Sequence, residues 1–478
     1  MFDTRLLYCL IVASAAIAAP AISSSETAVS PSSAVSPSPS VSSIATSAIS
    51  TVLPSPSVSE SPAGHSSSGS AVSTAPSEAQ TVAPASDNPN TQVFPQDTNE
   101  TPEAVNGPLG ATIIFPDNTV IDQQNPDALA PPSTDHGSVG NAKWPFALSH
   151  NRLQTGGWAR QQNLDVMPLA TNMASVNMRL EAGAVRELHW HKTAEWAYIL
   201  KGSTMVTAVN TDGQVFSDTV NPGDLWYFPA GIPHSLQATD DDPDGTEFLL
   251  VFDDGSFSED STFLLTDWTA HIPKEVLAKN FKVNVSAFDH IPSQELYIFP
   301  DTPPSKNEKS PASPAGTVPN PFTFHLSQVA ATPLAGGSWK VFDTTNFPVA
   351  NTIVGALVSV EPGAMRELHW HPTQPEWSYF ITGTARMTLF AAQSNARTFD
   401  YQAGDIGYVP PSFGHYIENT GNTTLQYLEL FNSDRVEDIS LAQWLALTPP
   451  DLVKAHLDLD DATIASLNKT KQVVVGPS

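Results

Sequence analysis

The chain has 478 residues and carries 49 acidic against 21 basic side chains, a formal net charge of −28. So acidic a balance argues against nucleic-acid partners and against anionic membrane surfaces. A single cysteine, Cys9, leaves no disulfide framework to build a small stapled fold.

Residues 1–19 place Arg5 ahead of an apolar run from Leu6 to Ala16 and close on the small residues Ala16-Ile17-Ala18. This pattern predicts a secretory signal peptide, too short for a membrane span. Cys9 lies inside it, so the rest of the chain has no thiol chemistry even in an oxidising compartment. Residues 20–100 are dominated by Ser, Ala, Pro, Thr and Val, and no aromatic residue occurs between 20 and 93. Such a tract cannot bury enough apolar surface to offset its ordering entropy, and it reads as a disordered, O-glycosylated stalk that catalysis does not need. Sequons at Asn99, Asn284, Asn422 and Asn468 fit a secreted glycoprotein, and the C-terminal KQVVVGPS has no long apolar anchor tail. Secretion into the medium or to the cell wall is the expectation.

From Lys143 to about residue 460, short β-rich runs alternate with Gly, Pro, Asn and Asp turns, the pattern of double-sheet β-barrels. The chain says the same thing twice. GAVRELHWHKTAEWAYILKG from Gly183 returns as GAMRELHWHPTQPEWSYFITG from Gly363, and GDLWYFPAGIPH from Gly223 returns as GDIGYVPPSFGH from Gly404. A period near 180 residues is too long for a solenoid and predicts two tandem domains. The expected division is 101–300 for the first domain with an N-terminal extension, 301–321 for a Pro/Ser/Lys-rich linker, and 322–478 for the second domain with C-terminal helices. Helical stretches follow each barrel, from Thr266 and from Ala442, with Trp268 and Trp444 in matching places. They are expected to cap a barrel or pack against a neighbour.

Strand alternation puts His189 and His191 on one face, so the pair can grip one ion. Glu195 and His234 complete a first set of three imidazoles and a carboxylate, and His369, His371, Glu376 and His415 form a second. The four ligands recur at offsets of 180, 180, 181 and 181 residues, far beyond what isolated core or surface histidines would show. Three His and one Glu exceed the usual catalytic zinc set and suit six-coordinate Mn or Fe, with two positions left for water or substrate.

These residues resemble the two cupin motifs, each present twice, with Ser412 at the second motif's Gly position and Ala238 at its terminal Asn. Together with RELHWH in both copies and the segment Ser258-Glu259-Asp260-Ser261, the pattern from about 110 to 460 is similar to the bicupin oxalate decarboxylases. The resemblance implies an all-β fold of two cupin jelly-rolls with short helical caps, Mn at both sites, and redox-neutral conversion of oxalate to formate and carbon dioxide with dioxygen as co-catalyst. It implies that Arg186 and Arg366 hold oxalate, although strict alternation would turn Arg186 away from His189. It also assigns Glu259 to the proton donor of a lid and Glu429 to a second-site carboxylate of secondary importance.

The first copy has the longer loop, with 16 residues from Phe252 to Trp268 against 13 from Phe431 to Trp444. The family's lid has Asn where this chain has Asp260, a charge expected to raise the Glu259 pKa or to oppose closure at high pH. Trp190 and Trp370 read as core residues. The partners expected are oxalate and a homo-oligomer, a trimer or hexamer of two-barrel chains. Oxalate oxidase on the same fold, yielding peroxide, and a storage or carbohydrate-binding bicupin are the alternatives. The second would make all eight ligands dispensable.

Overall fold

The computed structural model describes residues 121, 124–129, 131–306 and 308–477. The expected signal peptide, the Ser/Pro-rich tract and the sequon at Asn99 lie outside the described residues. Two β-sandwich barrels make up the described chain, each with a seven-stranded and a six-stranded antiparallel sheet. In the first, Val185–Trp190 and His234–Ala238 lie side by side in the six-stranded sheet, and Glu195–Lys201 and Thr246–Phe252 form the middle of the seven-stranded one. Met365–Trp370, His415–Asn419, Glu376–Thr382 and Leu425–Phe431 repeat this in the second.

The central strands are apolar on both faces because each face has its own partner. In Glu195–Lys201, Ala197 and Ile199 enter the first barrel's core, while Trp196 and Tyr198 enter an aromatic cluster shared with Phe342, Trp377, Tyr379 and Tyr408. Trp196 stacks on Phe342 with ring centroids 5.5 Å apart. Fully burying one such side chain contributes about 1.5–3 kcal/mol, and hydrogen bonds such as Trp377 Nε1 to Gln162 Oε1 at 3.1 Å add to the junction between the barrels.

Short strands also cross between barrels. Lys143–Pro145, which precedes the first barrel in the chain, adds an edge to the second by pairing with Asp405–Val409, and the buried Lys143 ammonium sits 3.2 Å from Asp405. Thr323–Phe324, which opens the second domain in sequence, pairs with Leu225–Phe228 of the first. The Pro/Ser-rich connection runs along the first barrel, where Val215 bridges Thr317.

The caps are the helices Leu265–Ala270 and Lys274–Phe281 after the first barrel, and Leu441–Ala446, Pro450–Leu457 and Asp461–Ser466 after the second. Trp190 and Trp370, expected in the core, instead lie half-buried on the outward face, edge-on to Trp268 and Trp444 at 5.4 and 5.6 Å. The alternation that sends the flanking histidines inward sends these rings outward. No helix among the described residues is long and apolar enough to cross a membrane.

Candidate metal centres and active site

His189, His191, Glu195 and His234 come together as one buried group whose ligating atoms all lie within 4.8 Å of one another, and His369, His371, Glu376 and His415 form a second. Backbone carbonyls choose the tautomer of every imidazole. Nδ1 of His189 donates to the Glu187 carbonyl (2.6 Å), that of His191 to Thr193 (3.4 Å) and that of His234 to Ile232 (2.8 Å). In the second barrel the acceptors are the carbonyls of Glu367 (2.6 Å), Glu437 (2.8 Å) and Phe413 (3.0 Å). Each ring therefore presents the Nε2 lone pair to the centre, as metal-ligating histidines do.

That arrangement leaves lone pairs facing lone pairs. Glu195 Oε2 stands 3.1 Å from His191 Nε2 and 3.5 Å from His234 Nε2, and Glu376 Oε2 stands 3.0 Å from Nε2 of both His371 and His415. Burial holds His189, His234 and His369 below the usual imidazole range, with Arg186 adding to it at His189 and Arg366 at His369. Nε2 lone pairs converging on a carboxylate oxygen, with Glu195 Oε2, His234 Nε2 and His369 Nε2 unpartnered and buried, fit a divalent cation. The carboxylates are aimed from behind, Glu195 by Trp226 Nε1 at 2.7 Å and Glu376 by Ser378 Oγ at 2.5 Å.

Arg186 reaches the first centre through an irregularity that alternation cannot show. His189 pairs with His234, but Arg186 pairs with Leu236, so three steps on one strand match two on the other. The β-bulge turns Arg186 inward with His189 and leaves Leu188 exposed. The second barrel repeats it, with His369 opposite His415 and Arg366 opposite Ile417.

Glu259 opens a short 3₁₀ turn, Glu259–Ser261, and is buried rather than solvated. Arg186 Nη2 donates to its Oε2 at 2.8 Å, as does Tyr297 Oη at 3.0 Å, while its backbone N–H donates to Gln161 Oε1 at 3.0 Å. A cleft of about 630 Å³, lined by Trp144, Arg152, Gln161, Glu259, Asp260 and Tyr297 among others, opens at this acid. Asp260 does not turn toward Glu259 as expected; its carboxylate meets Arg152 at 3.2 Å.

The second barrel is built differently at the same place. Arg366 Nε lies 3.3 Å from Glu429 Oε2, and its Nη2 pairs with Asp438, which is also held by Lys471. Burial pushes Glu429 up to about 7, with Arg366 opposing and Glu376 adding to the shift. Asp438 is pushed up by burial, yet Arg366 and Lys471 hold it well below the carboxylate range.

Sequence reasoning passed over Tyr297, Gln161, Asp438 and the buried Glu187 and Glu367. Glu187 accepts the N–H groups of Leu296 (2.9 Å) and Tyr297 (2.6 Å), fixing Tyr297 at a left-handed φ of 57°. Glu367 accepts from Ser440 Oγ (2.7 Å) and Val473 N–H (3.0 Å). The identical Arg-Glu-Leu in both copies was a signal for these two; the others sit in no repeated motif. Ser412 adopts φ 67° where Gly231 has 78°, and each donates its N–H to a ligand's carbonyl, His371 (2.8 Å) and His191 (2.9 Å). The motif's glycine thus serves a left-handed turn that closes over the ligands, and Ser412 bears the strain of that turn.

The cupin family profile matches residues 149–287 and 331–465, one match on each barrel. The chain is 53% identical to the oxalate decarboxylase OxdC of Bacillus subtilis over 79% of its own length and 97% of that protein's. The chain belongs to the bicupin oxalate decarboxylases. It is also similar to a probable oxalate decarboxylase of the fungus Arthroderma benhamiae, 45% identical over 77% of this chain and 91% of the relative. A solved structure of the Bacillus subtilis enzyme superposes with a TM-score of 0.75 at 53% identity, covering 77% of this chain and 97% of that one, and concerns its Mn(II) centres.

Proposed function

We propose that the chain is a secreted, Mn-dependent oxalate decarboxylase whose first barrel carries out the reaction. The observation that carries this reading is the buried Arg186–Glu259 pair, set between the first His₃Glu centre and the cleft. The eight ligands would hold two Mn²⁺ per chain, and bound Mn²⁺, with dioxygen as co-catalyst, would supply the Lewis-acid and one-electron chemistry that lets the oxalate C–C bond break without an unstabilised carboxyl anion. The Bacillus subtilis enzyme's Mn(II) centres support that choice of metal.

The remaining work belongs to side chains. Arg186 exchanges its carboxylate partner, releasing Glu259 and taking a carboxylate of oxalate by the same guanidinium edge. Glu259 then takes the proton of hydrogen oxalate and, once carbon dioxide has left, returns it to the formyl carbon. Hydrogen oxalate becomes formate and carbon dioxide with no net change in protons or electrons. Tyr297, donating to the same Glu259 oxygen, holds the carboxylate in place. The segment around Glu259, closed over the centre, also excludes water while the intermediate exists. In the second barrel two buried carboxylates already occupy Arg366, which supports a subordinate part for Glu429.

Secretion and glycosylation belong to the same proposal. Supporting them are the leader-like residues 1–19 and the exposure of Asn284, Asn422 and Asn468. A homo-oligomer, trimer or hexamer, is supported by the apolar side chains that the caps leave exposed, with Trp268 at 57%, Trp444 at 54% and Leu447 at 65%. The test of the activity is to supply oxalate to Mn-loaded protein and measure formate against hydrogen peroxide. Stoichiometric formate supports the decarboxylase; peroxide without formate makes it an oxidase; neither product overturns the reading.

A further inference from the structure

We infer that Arg152 is a positioning residue for this reaction: it holds residues 258–261 shut over the first centre through an ion pair with Asp260, so that Glu259 stays where Arg186 and the substrate meet. The inference rests on the reading of Glu259 as the proton carrier, and its first test does not use oxalate.

Arg152 begins the edge strand Arg152–Gln154, across from the closed segment and outside the metal centre. Three groups hold its guanidinium. Nη2 pairs with Glu295, the plane lies 3.7 Å from the centroid of the Tyr297 ring, and Nη1 reaches Asp260 Oδ1 at 3.2 Å. Glu295 and Tyr297 lie on the stretch that leads into Ile298–Phe299, which pairs with Val185–Trp190, and Glu187 pins the backbone N–H of Tyr297. Asp260 alone of the three belongs to the closed segment. A guanidinium already held by two partners outside the closed segment loses little rotamer freedom when it takes the third, which makes a part-exposed pair more effective than a free surface one.

The geometry makes Arg152 the outer member of two coupled guanidinium contacts on adjacent residues. Arg186 takes Glu259 from the inside at 2.8 Å, and its guanidinium also lies over the Tyr297 ring, at 4.2 Å. Substrate must displace Glu259 from Arg186, which removes the inner contact at the moment when closure matters most. The Arg152–Asp260 pair then remains, because it does not involve the group that oxalate replaces. The Gln161 side chain supports it by accepting the Glu259 N–H (3.0 Å) and donating to Ser258 Oγ at 3.3 Å. Asp260, whose side chain is 79% exposed, has no packing role that would explain its placement.

The test is hydrogen exchange of the peptide spanning 257–264 in Mn-loaded full-length protein without oxalate, for wild type, Asp260→Asn, Arg152→Gln and the double variant. Losing the pair should speed exchange there roughly two- to five-fold in each single variant, with no further gain in the double, and high salt should do the same to wild type only. With oxalate, Asp260→Asn should lower formate and raise peroxide in similar proportion at unchanged Mn content, and the reversed pair Arg152→Asp with Asp260→Arg should recover part of the loss. Unchanged exchange in Asp260→Asn, or additive effects in the double variant, would overturn the latch whatever the enzyme's product. Faster exchange in a protein that makes no formate would leave the latch standing and reject the proposed activity.

Discussion

Arg186 Nη2 and Glu259 Oε2 meet across 2.8 Å with both side chains almost wholly buried, so the two groups proposed to orient the substrate and to move the proton are each other's partner. A buried charge left alone is expensive, so on the proposed mechanism the substrate anion and Glu259 compete for one guanidinium. The competition couples substrate arrival to release of the proton carrier.

Glu259→Ala should therefore keep both metal centres yet lose formate production by roughly the 10²–10⁴-fold typical of a missing general acid, with residual turnover shifting toward peroxide. Glu429→Ala should cost less, because Arg366 keeps Asp438 as a partner. Formate and peroxide assayed at matched Mn content decide this. Formate that survives the first change and collapses in the second moves the active site to the other barrel.

Removing one imidazole from each centre, His191→Ala with His371→Ala, should take the protein from about two Mn per chain to nearly none, since each set would drop to three ligands around a widened hole. Elemental analysis after dialysis is the check; retained metal rejects the ligand assignment.

A chain beginning at residue 101 should keep its activity per Mn, because the Ser/Pro-rich tract supplies neither ligand nor apolar core. Starting at residue 149 should not be tolerated. It deletes Lys143–Pro145 from the second barrel's sheet, strands Asp405 without Lys143 and removes the buried Phe146 from the cluster between barrels. A large fall in thermal midpoint for the shorter chain alone is the expected result.

Asp127 packs against Asp400 beside the second barrel, and burial, with the Asp400 charge adding, pushes its carboxyl from 3.8 up to about 6. A raised carboxyl binds its proton more tightly when folded, so its cost is absent below 3.8, grows as pH rises and is complete above 6, at about 3 kcal/mol. Asp127→Asn should therefore stabilise the protein progressively more between pH 4 and pH 7, read as a widening gap in thermal midpoint. A gap that is flat with pH rejects the buried, proton-binding state.

The eight metal ligands were legible in the chain because ligation imposes local rules: two histidines on one face of a strand, a carboxylate four or five residues on, and a third histidine after a Gly/Pro turn, all said twice. The barrel class was legible from the same punctuation. Arg186 was not, since pairing His189 with His234 and Arg186 with Leu236 needs a bulge, and a bulge is decided by the facing strand. Nor did chain order reveal that Lys143–Pro145 completes the second barrel and Thr323–Phe324 the first, because an edge strand is recruited by an open row of backbone groups wherever it lies in space. The fate of the acids divides in the same way. That Glu259 and Asp260 stand on a longer loop is a matter of counting residues; that one is buried on Arg186 and the other tied to Arg152 depends on which cations the fold brings within 3 Å or so, and charge pairing at that range is a property of tertiary packing alone.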